Sequence, residues 1–86
     1  MSDWSREALI ELVHGILRDE ILSVEAGFSP ESNLIEAGLD SLAVTQLMLS
    51  IEERTGVWVD ESLLTPEHLH SSVTLATLVH AQLRSA

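Results

Sequence analysis

Gly38-Leu39-Asp40-Ser41-Leu42-Ala43-Val44-Thr45-Gln46-Leu47-Met48-Leu49-Ser50-Ile51-Glu52-Glu53 turns from punctuated loop into helix at Asp40 or Ser41. A short oxygen-bearing side chain there can accept a hydrogen bond from an amide of the first turn that has no other partner. The helix is predicted to end near Gly56, because glycine adopts the left-handed backbone of a helix end at little cost. At about 100° per residue, Val44, Leu47, Met48 and Ile51 fall on one side and form the core face. Leu42, Gln46, Leu49 and Glu53 fall nearly opposite. Two leucines are thereby left exposed, with Glu52 and Glu53 at the far end of the helix. Leucines in line with acidic residues, beginning beside an exposed serine, suggest a docking face for a partner.

The serine itself carries the chemistry. Ser41 is placed with its hydroxyl in solvent, beside flexible Gly38 and near the positive end of the helix dipole, an environment that favours a phosphate ester. Asp40 would cap the helix and fix the approach of the loop. Taken alone, Gly38-Leu39-Asp40-Ser41-Leu42 reads equally well as an ordinary helix start in which Asp40 and Ser41 serve only as capping residues.

Outward from this helix the pattern stays helical. Leu9, Leu12, Val13, Ile16, Leu17 and Ile21 recur at the spacing of one buried helical face, which predicts a first helix capped by Ser2 or Asp3 and running to about Leu22. From 23 to 40 the chain holds Gly27, Pro30, Asn33 and Gly38, the marks of a long connection. Val57-Trp58-Val59 is too short for a sheet and reads as an extended connector whose aromatic ring or valines plug the core. Thr65-Pro66-Glu67 resembles a helix start with proline in the first turn, so one short helix is expected within 60–69. Ser72 is the expected cap of a last helix bearing Leu75, Leu78, Val79 and Leu83 on one side. The fold class is all-α: a small bundle of three longer helices plus one short helix, with a long loop between helices one and two.

Size and composition narrow the function. The 86 residues make one domain, spanning 1–86, and 45% of them are hydrophobic. The absence of cysteine excludes a disulfide framework, a thiolate zinc site and a cysteine nucleophile. Fourteen acidic residues against four arginines and no lysine give a formal charge of -10, which repels phosphate backbones and anionic membranes and suits basic protein surfaces. Nucleic-acid binding is not expected. Neither a signal peptide nor a membrane-spanning run is evident, so a cytoplasmic protein is the expectation, and a monomer is expected because no large apolar face is left over once three helices pack.

Taken together, these residues resemble the acyl carrier proteins and the related peptidyl carrier domains of fatty acid, polyketide and nonribosomal peptide synthesis. The resemblance covers nearly the whole chain. It rests on the order of helices, Leu34 ahead of Gly38, the Gly38-Leu39-Asp40-Ser41-Leu42 signature, the Glu52-Glu53 pair and Ser72-Val73-Thr74-Leu75 at the start of the last helix. It implies that a phosphopantetheinyl transferase moves 4′-phosphopantetheine from coenzyme A to Ser41. The thiol of that arm would then carry an acyl or aminoacyl group as a thioester, supplied by an acyltransferase or an adenylation enzyme and passed to downstream synthase or acyl-transfer enzymes. Asp40 would belong to the attachment site, and Leu42, Gln46, Leu49, Glu52 and Glu53 to the partner-binding face. Fatty-acid carriers usually place more acidic residues just after the serine, where this chain has Ala43 and Gln46. That difference favours a dedicated carrier of a polyketide or nonribosomal peptide pathway, with malonyl-type, amino acid and β-amino acid cargoes all open, and the lack of linker-rich flanks makes a freestanding carrier the expectation.

Other functions find less support. An enzyme would need Ser41 as nucleophile with a histidine base, yet the serine lies in no Gly-x-Ser-x-Gly elbow and the chain offers little room for an oxyanion hole. His68 and His70 lack the further ligands that would close a metal site. The remaining alternative is a non-catalytic helical adaptor that docks through Leu42 and Leu49 and carries no prosthetic group.

Overall fold

The computed structural model describes residues 4–22 and 27–85. Its first helix, α1, is Arg6–Ile16 and is capped by Ser5, whose extended backbone lets Oγ accept the Ala8 N–H at 3.1 Å. The caps expected at Ser2 and Asp3 lie outside the described residues. Leu9, Val13, Ile16 and Leu17 are buried as their spacing predicts, with Leu12 and Ile21 packed at the edge of the core. The helix does not run regularly to Leu22. Over Leu17–Ile21 it widens into a π-helical turn, and the Leu22 N–H donates to the Leu17 carbonyl at 2.8 Å. Both Ile21 and Leu22 thereby reach the core. Arg54 ties this turn to the next helix through Glu20 at 2.8 Å.

Helix α2, Ser41–Thr55, ends at Gly56, whose φ of 77° supplies the left-handed stop and whose N–H donates to the Glu52 carbonyl at 2.8 Å. Leu47, Met48 and Ile51 are buried and Val44 is half-buried. Ala43 joins them, which the wide spacing of larger residues did not reveal. In the connector that follows, the valines rather than the aromatic ring plug the core. Val59 is buried and Val57 packs against the cluster, while Trp58 is 47% exposed.

The expected short helix is not regular. Glu61–Leu63 forms one 3₁₀ turn, and residues 66–70 form isolated turns, with the Leu69 N–H donating to the Thr65 carbonyl at 3.0 Å. A single turn gains too few hydrogen bonds to propagate as helix. Helix α3, Ser72–Ser85, is capped one residue earlier than expected. Ser71 Oγ accepts the Thr74 N–H at 3.2 Å, and Thr74 Oγ1 accepts the Ser71 N–H at 3.0 Å. The reciprocal pair satisfies two amides at once, as in a capping box. Ser72 is therefore the first helical residue, fully buried, with Oγ 3.4 Å from His14 Nδ1. Leu75, Leu78 and Val79 are buried with Ala76, and α3 packs chiefly along α1.

The long connection is irregular over residues 27–40, but it is well fastened. Leu34 is fully buried and Leu39 nearly so. The Leu34 N–H donates to the His70 carbonyl at 2.9 Å, and the Val73 N–H to the Pro30 carbonyl at 3.1 Å. Phe28 stacks on His14 of α1 with ring centroids 4.8 Å apart. Burial, reinforced by Arg18 and opposed by Asp19, holds the His14 imidazole below its ordinary pKa. Among the described residues no strand forms, and no helix is long and apolar enough to cross a membrane. The all-α bundle predicted from the sequence is the fold observed.

Candidate functional site

Local chemistry places Ser41. Asp40 adopts extended backbone as the cap of α2, its carbonyl accepts the Val44 N–H at 2.9 Å, and its Oδ1 accepts the Ala43 N–H at 2.9 Å. The Ser41 and Leu42 amides of the first turn stay available to solvent or an anion. Ser41 is thus the first helical residue rather than a cap. Its side chain is exposed, and among the described residues no group holds its hydroxyl. Gly38, at φ 107°, lets the loop turn sharply just before it, after the Leu39 N–H has closed on the Leu34 carbonyl at 2.9 Å.

Beside Ser41 opens a groove of about 400 Å³. Ile35 and Leu39 line it from the loop, Asp40, Ser41, Val44 and Thr45 from α2, and Leu64 and Leu69 from the segment before α3. The groove walls escaped the sequence reading apart from Val44, which was assigned to the core, and Asp40 and Ser41. Thr45 was discoverable, since it lies one turn beyond Ser41 and its Oγ1 donates to the Ser41 carbonyl at 3.1 Å. Leu64 and Leu69 carry no local signal for this role.

On the outer side of α2 the structure brings the predicted face together. Leu42 is 68% exposed and Leu49 48%, with Gln46, Glu52 and Glu53 exposed around them. Eleven residues bring a helix round just over three full turns, about 16.5 Å along its axis. Glu52 therefore stands in line with Ser41, and Glu53 in line with Leu42. The result is an apolar start and an acidic end on one exposed strip.

Among the described residues no group of three or more His, Cys, Asp or Glu side chains could hold a metal ion. His68 instead serves loop packing, with Nδ1 2.6 Å from the Leu63 carbonyl oxygen. The Ser62 amide on the Asp60 carboxylate, at 2.8 Å, holds that carboxyl below its usual range.

The family described as "Phosphopantetheine attachment site" matches residues 7–81. Aminoacyl carrier protein 1 of Bradyrhizobium diazoefficiens is 35% identical over 81 residues, spanning 94% of this chain and 88% of that protein. Two solved structures are similar at 34% identity. One is the Bradyrhizobium japonicum glycine:[carrier protein] ligase complexed with glycylated carrier protein, with a TM-score of 0.61 over 86% of this chain and 97% of that one. The other is the same ligase with its cognate carrier protein and an analogue of glycyl adenylate, with a TM-score of 0.64 over 90% and 97%.

The chain belongs to the family of phosphopantetheine-bearing carrier proteins. It is a carrier, not an enzyme, and its prosthetic group is phosphopantetheine. That finding sets aside the adaptor without a prosthetic group. The residues present fit the group: a free, exposed hydroxyl at a helix start, two open amides for a phosphodiester, and a partly apolar groove alongside.

Proposed function

We propose that Ser41 is the residue that carries 4′-phosphopantetheine, and that residues 1–86 act as one aminoacyl carrier domain. The observation that supports this most is the position of Ser41: exposed, unpartnered and first in α2, at the mouth of the groove. In the attachment step a phosphopantetheinyl transferase joins Ser41 Oγ to the pantetheine-side phosphorus of coenzyme A. The pyrophosphate bond breaks, the adenosine bisphosphate leaves, and the hydroxyl proton passes to a base of the transferase. The thiol of the arm supplies the thioester chemistry that a chain without cysteine lacks.

Of the loading enzymes expected from the sequence, an amino-acid-adenylating ligase is favoured over an acyltransferase. The support is the likeness to an aminoacyl carrier protein and to carrier protein in complex with a glycine ligase. Leu42, Gln46, Leu49, Glu52 and Glu53 form the docking face, with Asp40 holding the helix start beside it. Association through exposed charges is weak and screened by salt, which suits a carrier that must also let go. Delivery to a polyketide or nonribosomal peptide synthase in the cytoplasm belongs to the same proposal, on the strength of Ala43 and Gln46 standing where fatty-acid carriers are acidic.

The test is intact mass after incubation with coenzyme A and a broad-specificity transferase, followed by ATP, an adenylating ligase and single amino acids. Wild type gains one phosphopantetheine and then one aminoacyl group, while Ser41→Ala gains neither. Arm attachment on Ser41→Ala would overturn the assignment.

A further inference from the structure

The groove wall opposite α2 is built from a segment with little regular structure of its own. Leu64 and Leu69 are only half-buried, Leu63 is exposed, and one 3₁₀ turn and isolated turns are all the regular hydrogen bonding present. One side chain closes this segment on itself. His68 Nδ1 lies 2.6 Å from the Leu63 carbonyl oxygen and 3.2 Å from Thr65 Oγ1. The His68 N–H donates to Thr65 Oγ1 at 3.4 Å, and the His68 carbonyl accepts Thr74 Oγ1–H of α3 at 2.8 Å. His68 thus links the turn that bears Leu64 and Leu69 to the first turn of α3.

A carbonyl oxygen can only accept, so the imidazole proton must sit on Nδ1. The hydrogen bond fixes the tautomer, as it does for histidines that orient other groups. Without it the Leu63 carbonyl keeps only the Thr65 N–H, at 3.0 Å, and the side-chain tie between Leu63 and the turn that bears Leu69 is gone.

We propose that His68, through its Nδ1–H, is the positioning residue that holds the Leu64 and Leu69 wall of the groove against the arm carried by Ser41. The inference rests on the assignment of Ser41 above. His68 is not among the residues that line the groove with Ser41, and it acts through the backbone it clamps.

Three chains with labelled leucine and isoleucine methyls test it: wild type, His68→Ala and His68→Asn, each compared before and after phosphopantetheine attachment. Asparagine is informative because its side-chain N–H can stand where Nδ1–H stands. In wild type, attachment should shift the Leu64, Leu69 and Ile35 methyl resonances. His68→Ala should lose the Leu64 and Leu69 shifts while keeping its helical circular dichroism, and His68→Asn should restore them. Nitrogen NMR of the unmodified wild-type chain should show the His68 ring proton on Nδ1, a reading independent of whether any variant folds. A proton on Nε2, or equal methyl shifts in wild type and His68→Ala, would overturn the role of His68 and leave Ser41 untouched. No mass gain on wild type would overturn the Ser41 assignment and, with it, any arm for His68 to position.

Discussion

Substitutions at Asp40 and Ser41 should separate stability from modification, although the two residues are neighbours. Asp40→Ala removes the acceptor of the Ala43 N–H, a bond of 2.9 Å at the start of a helix that runs to Thr55. Loss of such a cap costs about 1 kcal/mol, within a range of about 0.5 to 2. Near 60 °C unfolding entropy is about 2.1 cal/mol/K per residue, so in a domain of this size 1 kcal/mol lowers the midpoint by about 4 to 8 °C. Ser41→Ala removes no hydrogen bond, because the hydroxyl has no partner among the described residues. Alanine is the better helix former, so that variant should be unchanged or more stable by at most about 0.5 kcal/mol. Asp40→Asn keeps an acceptor at the cap and should lose only a few tenths of a kcal/mol. Thermal unfolding followed by helical circular dichroism, paired with the mass gain of each variant, provides the assay. Asp40→Ala should unfold earlier and gain phosphopantetheine more slowly than wild type, because Asp40 flanks the attachment point without supplying the bond, and Ser41→Ala should unfold normally and accept none. If Ser41→Ala lost as much stability as Asp40→Ala, or if Asp40→Ala lost none, the assignment of cap and first helical residue would be refuted.

Three more outcomes follow from the same geometry. Leu47 is fully buried, so Leu47→Ala should destabilise by about 2 to 5 kcal/mol, and an unchanged urea midpoint would contradict the placement of the core face. Glu53→Arg should preserve the fold but slow loading by the partner ligase at low salt, with the gap to wild type closing as salt rises; equal rates across the salt series would count against the docking face. Acidification should destabilise the chain through His14. Its pKa is lowered in the folded state by burial, Arg18 and despite Asp19, so the unfolded chain binds the proton more readily. The contribution is complete above the ordinary imidazole pKa of about 6.5 and is lost as pH falls through the lowered folded value. His14→Phe, which keeps an aromatic ring for Phe28 to stack on, should flatten that part of the stability profile, and an unaltered profile would sink the assignment.

Helices and their faces were legible because their cause is local. A hydrogen bond to the fourth residue back sets the period, so the apolar spacing of α1, α2 and α3 named Leu9, Leu47 and Leu75 as core before any contact was known. Gly56 was legible for the same reason, since its left-handed backbone depends on the absence of a side chain. The cap of α3 was misread by one residue. Ser71 and Ser72 are chemically identical, and the choice turned on Thr74 standing three positions after Ser71 to return the hydrogen bond. Of the short helix expected within 60–69, the structure forms a 3₁₀ turn at Glu61–Leu63, while Thr65-Pro66-Glu67 starts turns that do not propagate as regular helix.

The candidate site divides along the same line. Ser41, Asp40 and the exposed strip from Leu42 to Glu53 could be named from one stretch of chain, because a helix places its residues by count alone. The groove beside Ser41 could not. Its walls come from Ile35 and Leu39 on one side and Leu64 and Leu69 on the other, joined by backbone hydrogen bonds such as Leu34 to His70 that no local pattern announces. Periodicity decides which way a side chain faces from its own helix, whereas the space left between segments depends on how distant parts of the chain pack, and only the folded molecule contains that information.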